Sequence, residues 1–187
     1  MKQALLILLL LFSSCKAQTM KTYWVYKGNT YCTPKISGTV GNSLSADVII
    51  GDDWRQLYSS PDNSTHKIIG ISDLFGNNSI RLGVRRADTN KEGLIAVPYI
   101  HNKGKIQYTP FKTATGNLLL KYGTLYHIEI IKVAEGWKIS IYENGLLLSD
   151  YIAPITISSV GRRLSGMYVE VGSGASLWNV SAQIGWR

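Results

Sequence analysis

Two arginines, a tyrosine and a histidine stand at alternate positions of two successive apolar runs. In Asn77–Arg86 the apolar Ile80, Leu82 and Val84 alternate with Arg81, Gly83 and Arg85; in Leu94–His101, Leu94, Ala96, Pro98 and Ile100 alternate with Ile95, Val97, Tyr99 and His101. Side chains of a strand leave alternately on opposite faces, so pairing of these two runs would collect Arg81, Arg85, Tyr99 and His101 on one side. After a turn at Asn102-Lys103-Gly104, Lys105, Gln107 and Thr109 are expected to continue that side. Gly83 would leave a shallow gap between the arginines.

These residue types suit sugar chemistry. Aromatic rings stack on the C–H faces of pyranoses, while arginine and glutamine donate fork-like hydrogen bonds to hydroxyls and arginine grips carboxylate or sulfate bidentately. Tyr99 is one expected platform. Trp54 is the other, because Asp52 and Asp53 place it in a turn-like region. The expected ligand-binding set is therefore Arg81, Arg85, Tyr99, His101, Gln107 and Trp54. An antiparallel sheet wetted on one side shows the same alternation without binding anything, and that reading stays open here.

Catalysis narrows by elimination. Acid-pair glycoside hydrolysis needs two carboxylates flanking the scissile bond, but Glu129, Glu143 and Glu170 stand singly. A polysaccharide lyase instead needs a group that neutralises a uronate carboxylate and a tyrosine or histidine that removes the neighbouring proton. Arg81, Arg85, Gln107, Tyr99 and His101 contain such a set. His66, His101 and His127 have no metal-ligand spacing, and Asp52, Asp53 and Asp62 resemble no calcium loop. No metal or other cofactor is expected.

The elements that must position these groups are short strands. Apolar, β-branched and aromatic runs recur at 23–26, 44–50, 68–71, 80–84, 94–100, 106–111, 126–133, 137–142, 167–171 and 180–184. Asn102-Lys103-Gly104, Ala134-Glu135-Gly136 and Glu143-Asn144-Gly145 carry hairpin chemistry between runs. No sustained helical period appears beyond the N-terminus. The pattern predicts an all-β fold, an antiparallel sandwich or barrel, in a single domain at 19–187.

Residues 1–18 read as an export signal with a short tether. Lys2 precedes an apolar stretch from Ala4 to Phe12, the length of a signal h-region and too short to span a bilayer. Ser13-Ser14-Cys15 resembles a lipoprotein processing site, with Cys15 as the lipidation candidate; cleavage near Ala17 to a freely secreted or periplasmic form is the alternative. Cys32 is the other cysteine, expected to be a buried apolar residue. The formal charge of +8 favours anionic partners. Scattered basic residues and the absence of a recognition helix argue against nucleic acid.

Blocks across the chain also resemble a known group. "YWVYKGNTYC", "HKIIGISDLFGNNSIRLGVR", "YIHNKGKIQY", "LYHIEIIKVAEGWKISIYENG" and "GSGASLWNVSAQIGW" follow in order the pattern of uncharacterised exported Bacteroidetes-type proteins. That resemblance implies a concanavalin A-like jelly-roll sandwich. Asn77 and Asn78 stand where that group usually has histidines, and Val84 where it has tryptophan. The sequence thus reads as an exported β-sandwich, lipid-anchored to the outer membrane or cell surface, touching the membrane through that anchor only. Its expected role is non-catalytic binding of a glycan or anionic surface polymer. A uronate-polymer lyase and a structural or adhesive envelope protein are the alternatives; nothing in the chain speaks to oligomeric state.

Overall fold

The computed structural model describes residues 19–59, 63–87, 92–169 and 176–187, with backbone alone at 108. The 1–18 segment with Cys15, and the acidic Asp62 and Glu170, lie outside those residues. The chain forms strands β1 (Lys21–Val25), β2 (Ser43–Ile50), β3 (His66–Ser72), β4 (Asn78–Arg86), β5 (Gly93–Asn102), β6 (Lys105–Tyr108) and β7 (Lys112–Thr113). They are followed by β8 (Gly116–Asn117), β9 (Leu119–Lys121), β10 (Leu125–Val133), β11 (Gly136–Glu143), β12 (Leu146–Ala153), β13 (Arg163–Ser165) and β14 (Val180–Trp186). A 3-10 helix covers Asp52–Ser59.

Two antiparallel sheets face one another as a jelly-roll sandwich. The first runs β1-β14-β2-β10-β11-β12, and the second runs β13-β3-β4-β5-β6 with β9 also paired to β5. Alternation explains both. Leu44, Ala46, Val48 and Ile50 of β2, with Tyr126, Ile128 and Ile130 of β10, enter the same buried cluster as Ile80, Leu82 and Val84 of β4 and Leu94, Ala96 and Ile100 of β5. Each such aliphatic side chain contributes about 1.5–3 kcal/mol relative to exposure, which fixes which face of β4 points inward.

Four details differ from the sequence expectation. Leu146–Ala153 forms an edge strand that three consecutive leucines, lacking alternation, concealed. Of the run expected at 167–171, the described residues 167–169 form no regular strand; Tyr168 makes isolated bridges to Lys67 and Tyr31. The run expected at 106–111 stops at Tyr108, with Phe111 reached through a connecting segment. Asp52 and Asp53 open a 3-10 helix rather than a simple turn.

Candidate functional site

Strands β4 and β5 pair with Arg81 opposite Tyr99, Ser79 opposite His101 and Arg85 opposite Ile95. The inward aliphatic positions therefore force Ser79, Arg81, Tyr99 and His101 onto the outer face. A one-residue irregularity in β3 between Lys67 and Ile69 brings a further cation there, because Lys67 pairs with Gly83 while Gly70 pairs with Arg81. Without that bulge Lys67 would share a face with Ile69 and Ile71 and point into the core.

The neighbouring wall comes from segments remote in sequence. Tyr168 exchanges backbone hydrogen bonds with Lys67 at 2.9 and 2.8 Å, and Cys32 N donates to Met167 O at 3.2 Å. Tyr31, Lys35, Leu164, Ser165 and Tyr168 thereby close one side of a cleft of about 430 Å³ over Lys67, Arg81, Tyr99 and His101. None of the residues lining it is an aspartate or glutamate.

Inside the cleft the Lys67 ammonium lies 4.6 Å from the centroid of the Tyr99 ring and 4.3 Å from that of Tyr168. Tyr31 meets Tyr168 edge-on at 5.0 Å. The Arg81 side chain crosses above Gly70, where an added Cβ would sit 2.6 Å from Arg81 Cγ. Burial holds the Arg81 guanidinium below its ordinary pKa, with the nearby phenols of Tyr99, Tyr31 and Tyr168 opposing that effect.

Among the described residues five buried side-chain polar atoms lack a hydrogen-bond partner: Arg85 Nε and the Tyr122 hydroxyl elsewhere in the molecule, and three on this part of the face, Ser79 Oγ, Arg81 Nε and His101 Nε2. His101 Nδ1 lies 3.3 Å from the carbonyl of Gly76. A carbonyl only accepts, so Nδ1 carries the proton and neutral His101 has its lone pair on Nε2. An orphaned buried polar atom costs about 1–3 kcal/mol; Arg81 and His101 line the cleft, so a ligand bound there could satisfy their unpartnered nitrogens.

A second polar cluster on the outer face of the other sheet makes the contrast. There His127 Nδ1 lies 2.7 Å from Asp47 Oδ1, and its Nε2 lies 3.3 Å from Ser45 Oγ and 3.4 Å from Glu129 Oε1. Tyr142 donates to Glu129 and Arg187 to Asp47. These groups satisfy one another. Among the described residues, no three of His, Cys, Asp or Glu are grouped to hold a metal ion.

Arg81, Tyr99 and His101, named from the sequence, come together in the cleft. The other three do not. Gln107 pairs with the core residue Ile100, so its side chain leaves the opposite face from His101. The cause is the turn: Lys103 (φ 49°) and Gly104 (φ 79°) form a two-residue hairpin in which Asn102 pairs with Lys105, one residue shorter than expected. A one-residue slip reverses every side chain of β6 and brings Ile106 to the cleft instead. Arg85 lies four residues along β4 from Arg81, about 13 Å away. The gap expected at Gly83 is filled by Thr65, whose Cγ2 would lie 2.8 Å from an added Cβ. Beyond it Ile95 and Val97 form a small second cluster with Ala87 and Leu119, so that part of the face is covered.

Trp54 is fully buried, its Nε1 donating to Ser181 O at 2.6 Å. It is a core residue because Asp53 accepts from Ser181 N and Oγ at 2.9 and 2.6 Å, which turns the 3-10 helix inward. Lys67, Tyr31 and Tyr168 were not anticipated; a lysine preceding an apolar run was the only local sign of the first. Cys32 is buried at the cleft wall, as expected of a small apolar residue.

Among solved structures the fold is similar to a variant of the alginate lyase Aly36B in complex with an alginate trisaccharide. The TM-score is 0.57 and the identity 16%, over 89% of this chain and 79% of that one. It is also similar to the alginate lyase vAL-1 from Chlorella virus, with TM-score 0.53 and 12% identity over 93% and 85% of the two chains. A Saccharomyces cerevisiae protein of unknown function gives TM-score 0.53 and 11% identity over 92% and 90%. At such identities the likeness concerns the fold. No protein-family model and no curated protein matches the chain.

Proposed function

We propose that the cleft binds a uronate-containing polysaccharide and cleaves it by β-elimination. The observation that carries this reading is the pair of unpartnered atoms, Arg81 Nε and His101 Nε2, on residues lining a cleft that also holds Lys67 and three tyrosines and, among the described residues, no aspartate or glutamate. Arg81 and Lys67 neutralise the substrate carboxylate, which acidifies the adjacent C5–H. His101 Nε2 removes that proton; the electron pair forms the C4=C5 double bond as the C4–O4 bond breaks. Tyr168, the more open of the two tyrosines against Lys67, returns a proton to the departing oxygen. Acid-pair hydrolysis finds neither of its two carboxylates among the residues lining the cleft. Two of the similar folds are alginate lyases, which supports the same substrate class for this chain.

Recognition without chemistry is the second reading, favoured by the depth of two groups: Lys67 is 7% exposed and Tyr99 6%. Incubation with alginate, pectate and glucuronan separates the two. The lyase generates the ultraviolet absorbance of an unsaturated uronate, and His101→Ala and Tyr168→Phe suppress it. Binding without absorbance on every polymer favours recognition alone. Export and acylation at Cys15 complete the proposal, supported by the apolar Ala4–Phe12 stretch and the Ser13-Ser14-Cys15 ending. Palmitate labelling that persists in Cys15→Ser would remove the anchor.

A further inference from the structure

The end of the sandwich at the β3–β4 turn holds apolar side chains out into solvent. Phe75 is 81% exposed, Val160 77% and Leu74 39%. This is a built feature rather than a frayed loop. The Asp73 carboxylate accepts from Asn77 N, Asn78 N and Asn78 Nδ2, each at 2.9 Å, and Gly76 closes the turn with a positive φ of 74°. The β5–β6 turn is fastened beside it, Lys103 N donating to Asn78 Oδ1 at 3.1 Å and Gly104 N to Asn77 O at 3.5 Å. Val160 arrives from the other side, where its neighbour Gly161 packs against Leu74.

Charge at this end has one sign. The exposed Lys103 and Lys105 of the β5–β6 turn and Arg163 of β13 stand on two of the three segments that meet there. Within residues 72–78, 102–106 and 158–165 the single carboxylate is Asp73, which is buried and consumed by its hydrogen bonds.

We propose that this end is a membrane-docking tip for a bilayer carrying anionic headgroups. A protruding phenylalanine with two aliphatic neighbours fits the acyl boundary, into which apolar side chains partition, while lysines and arginine beside them meet negatively charged headgroups. Exposed apolar side chains flanked by cations match an anionic lipid surface. This tip acts independently of the cleft chemistry. Because His101 bonds to the Gly76 carbonyl in the same turn, docking would also hold the mouth of the cleft near the membrane.

The full chain carrying Cys15→Ser, which removes the candidate acylation site, provides the test. An environment-sensitive fluorophore is attached at Phe75→Cys or at Lys121→Cys, the latter paired with Gly93 at the far end of β5. The label at 75 is expected to shift to the blue with phosphatidylcholine–phosphatidylglycerol vesicles and not with phosphatidylcholine alone; the label at 121 stays unchanged. In the unlabelled chain, Leu74→Ser with Phe75→Ser is expected to weaken partitioning to the anionic vesicles about 10-fold. Lys103→Glu with Lys105→Glu is expected to remove the preference for anionic lipid. No shift at position 75, equal shifts at both positions, or undiminished partitioning of the serine variant would overturn the proposal. So would a shift that follows protein concentration without vesicles, which would identify a second copy of the chain as the occupant.

Discussion

Replacing Arg81 by methionine should separate stability from function. The guanidinium is largely withdrawn from water, and its Nε has no partner. A buried donor left unmade costs about 1–3 kcal/mol, and methionine keeps the aliphatic volume that lies over Gly70. Arg81→Met is therefore expected to leave the unfolding free energy unchanged or to raise it by up to about 2 kcal/mol, as when buried charges give way to apolar side chains of similar size. The same change removes the group assigned to the substrate carboxylate. Loss of a charge-assisted hydrogen-bonded contact worth about 1.5–3 kcal/mol corresponds to roughly 10–150-fold in affinity or kcat/KM. Urea unfolding at constant m-value measures the first quantity, and oligouronate titration or initial rate measures the second. A variant that unfolds more than about 1 kcal/mol more easily, or that keeps ligand affinity within threefold, would refute the reasoning. Either result would make Arg81 a structural residue whose orientation has nothing to do with a ligand.

Four further outcomes follow from the structure. Gly70→Ala places a methyl group against the Arg81 side chain and the Ile80 carbonyl, so both oligouronate affinity and stability should fall; a variant with normal affinity would show that Arg81 need not cross that position. Trp54→Ala should cost about 3–5 kcal/mol in urea unfolding, whereas at a permissive temperature the folded variant should bind as before. Gln107→Ala should change neither property, and a large loss of affinity there would return β6 to the site. Burial raises the phenol pKa of Tyr122, with Tyr58 adding to the effect, and burial likewise raises that of Tyr126. Above about pH 10 the unfolded chain releases phenolic protons that the folded chain retains, so stability should decline with rising pH. Tyr122→Phe should flatten that decline in urea unfolding followed from pH 9 to 11.

What was legible in the sequence was whatever alternation alone determines. Ile80, Leu82 and Val84 against Leu94, Ala96 and Ile100 set both the sandwich and the shared face of Arg81, Tyr99 and His101. Legibility ended wherever one residue changed the count. The β3 bulge sends Lys67 outward, and the two-residue turn at Lys103-Gly104 sends Gln107 away. Neither has a periodic signature, since each is a local departure from the period. Tyr31 and Tyr168 reach the cleft through isolated bridges between distant segments, which no window of sequence reports. Trp54 was misplaced because an acidic pair before a tryptophan looks the same whether it heads a solvent-facing turn or caps Ser181 from a helix folded inward.

The most direct measurement is the ultraviolet absorbance of uronic-acid polymers incubated with the chain and, in parallel, with its His101→Ala and Lys67→Met variants. An unsaturated product from the unaltered chain, reduced by at least 100-fold in both variants while each stays folded, is the expected result. Absorbance that persists in both variants, or no product from any uronate polymer despite tight binding, would contradict the assignment of this cleft to β-elimination.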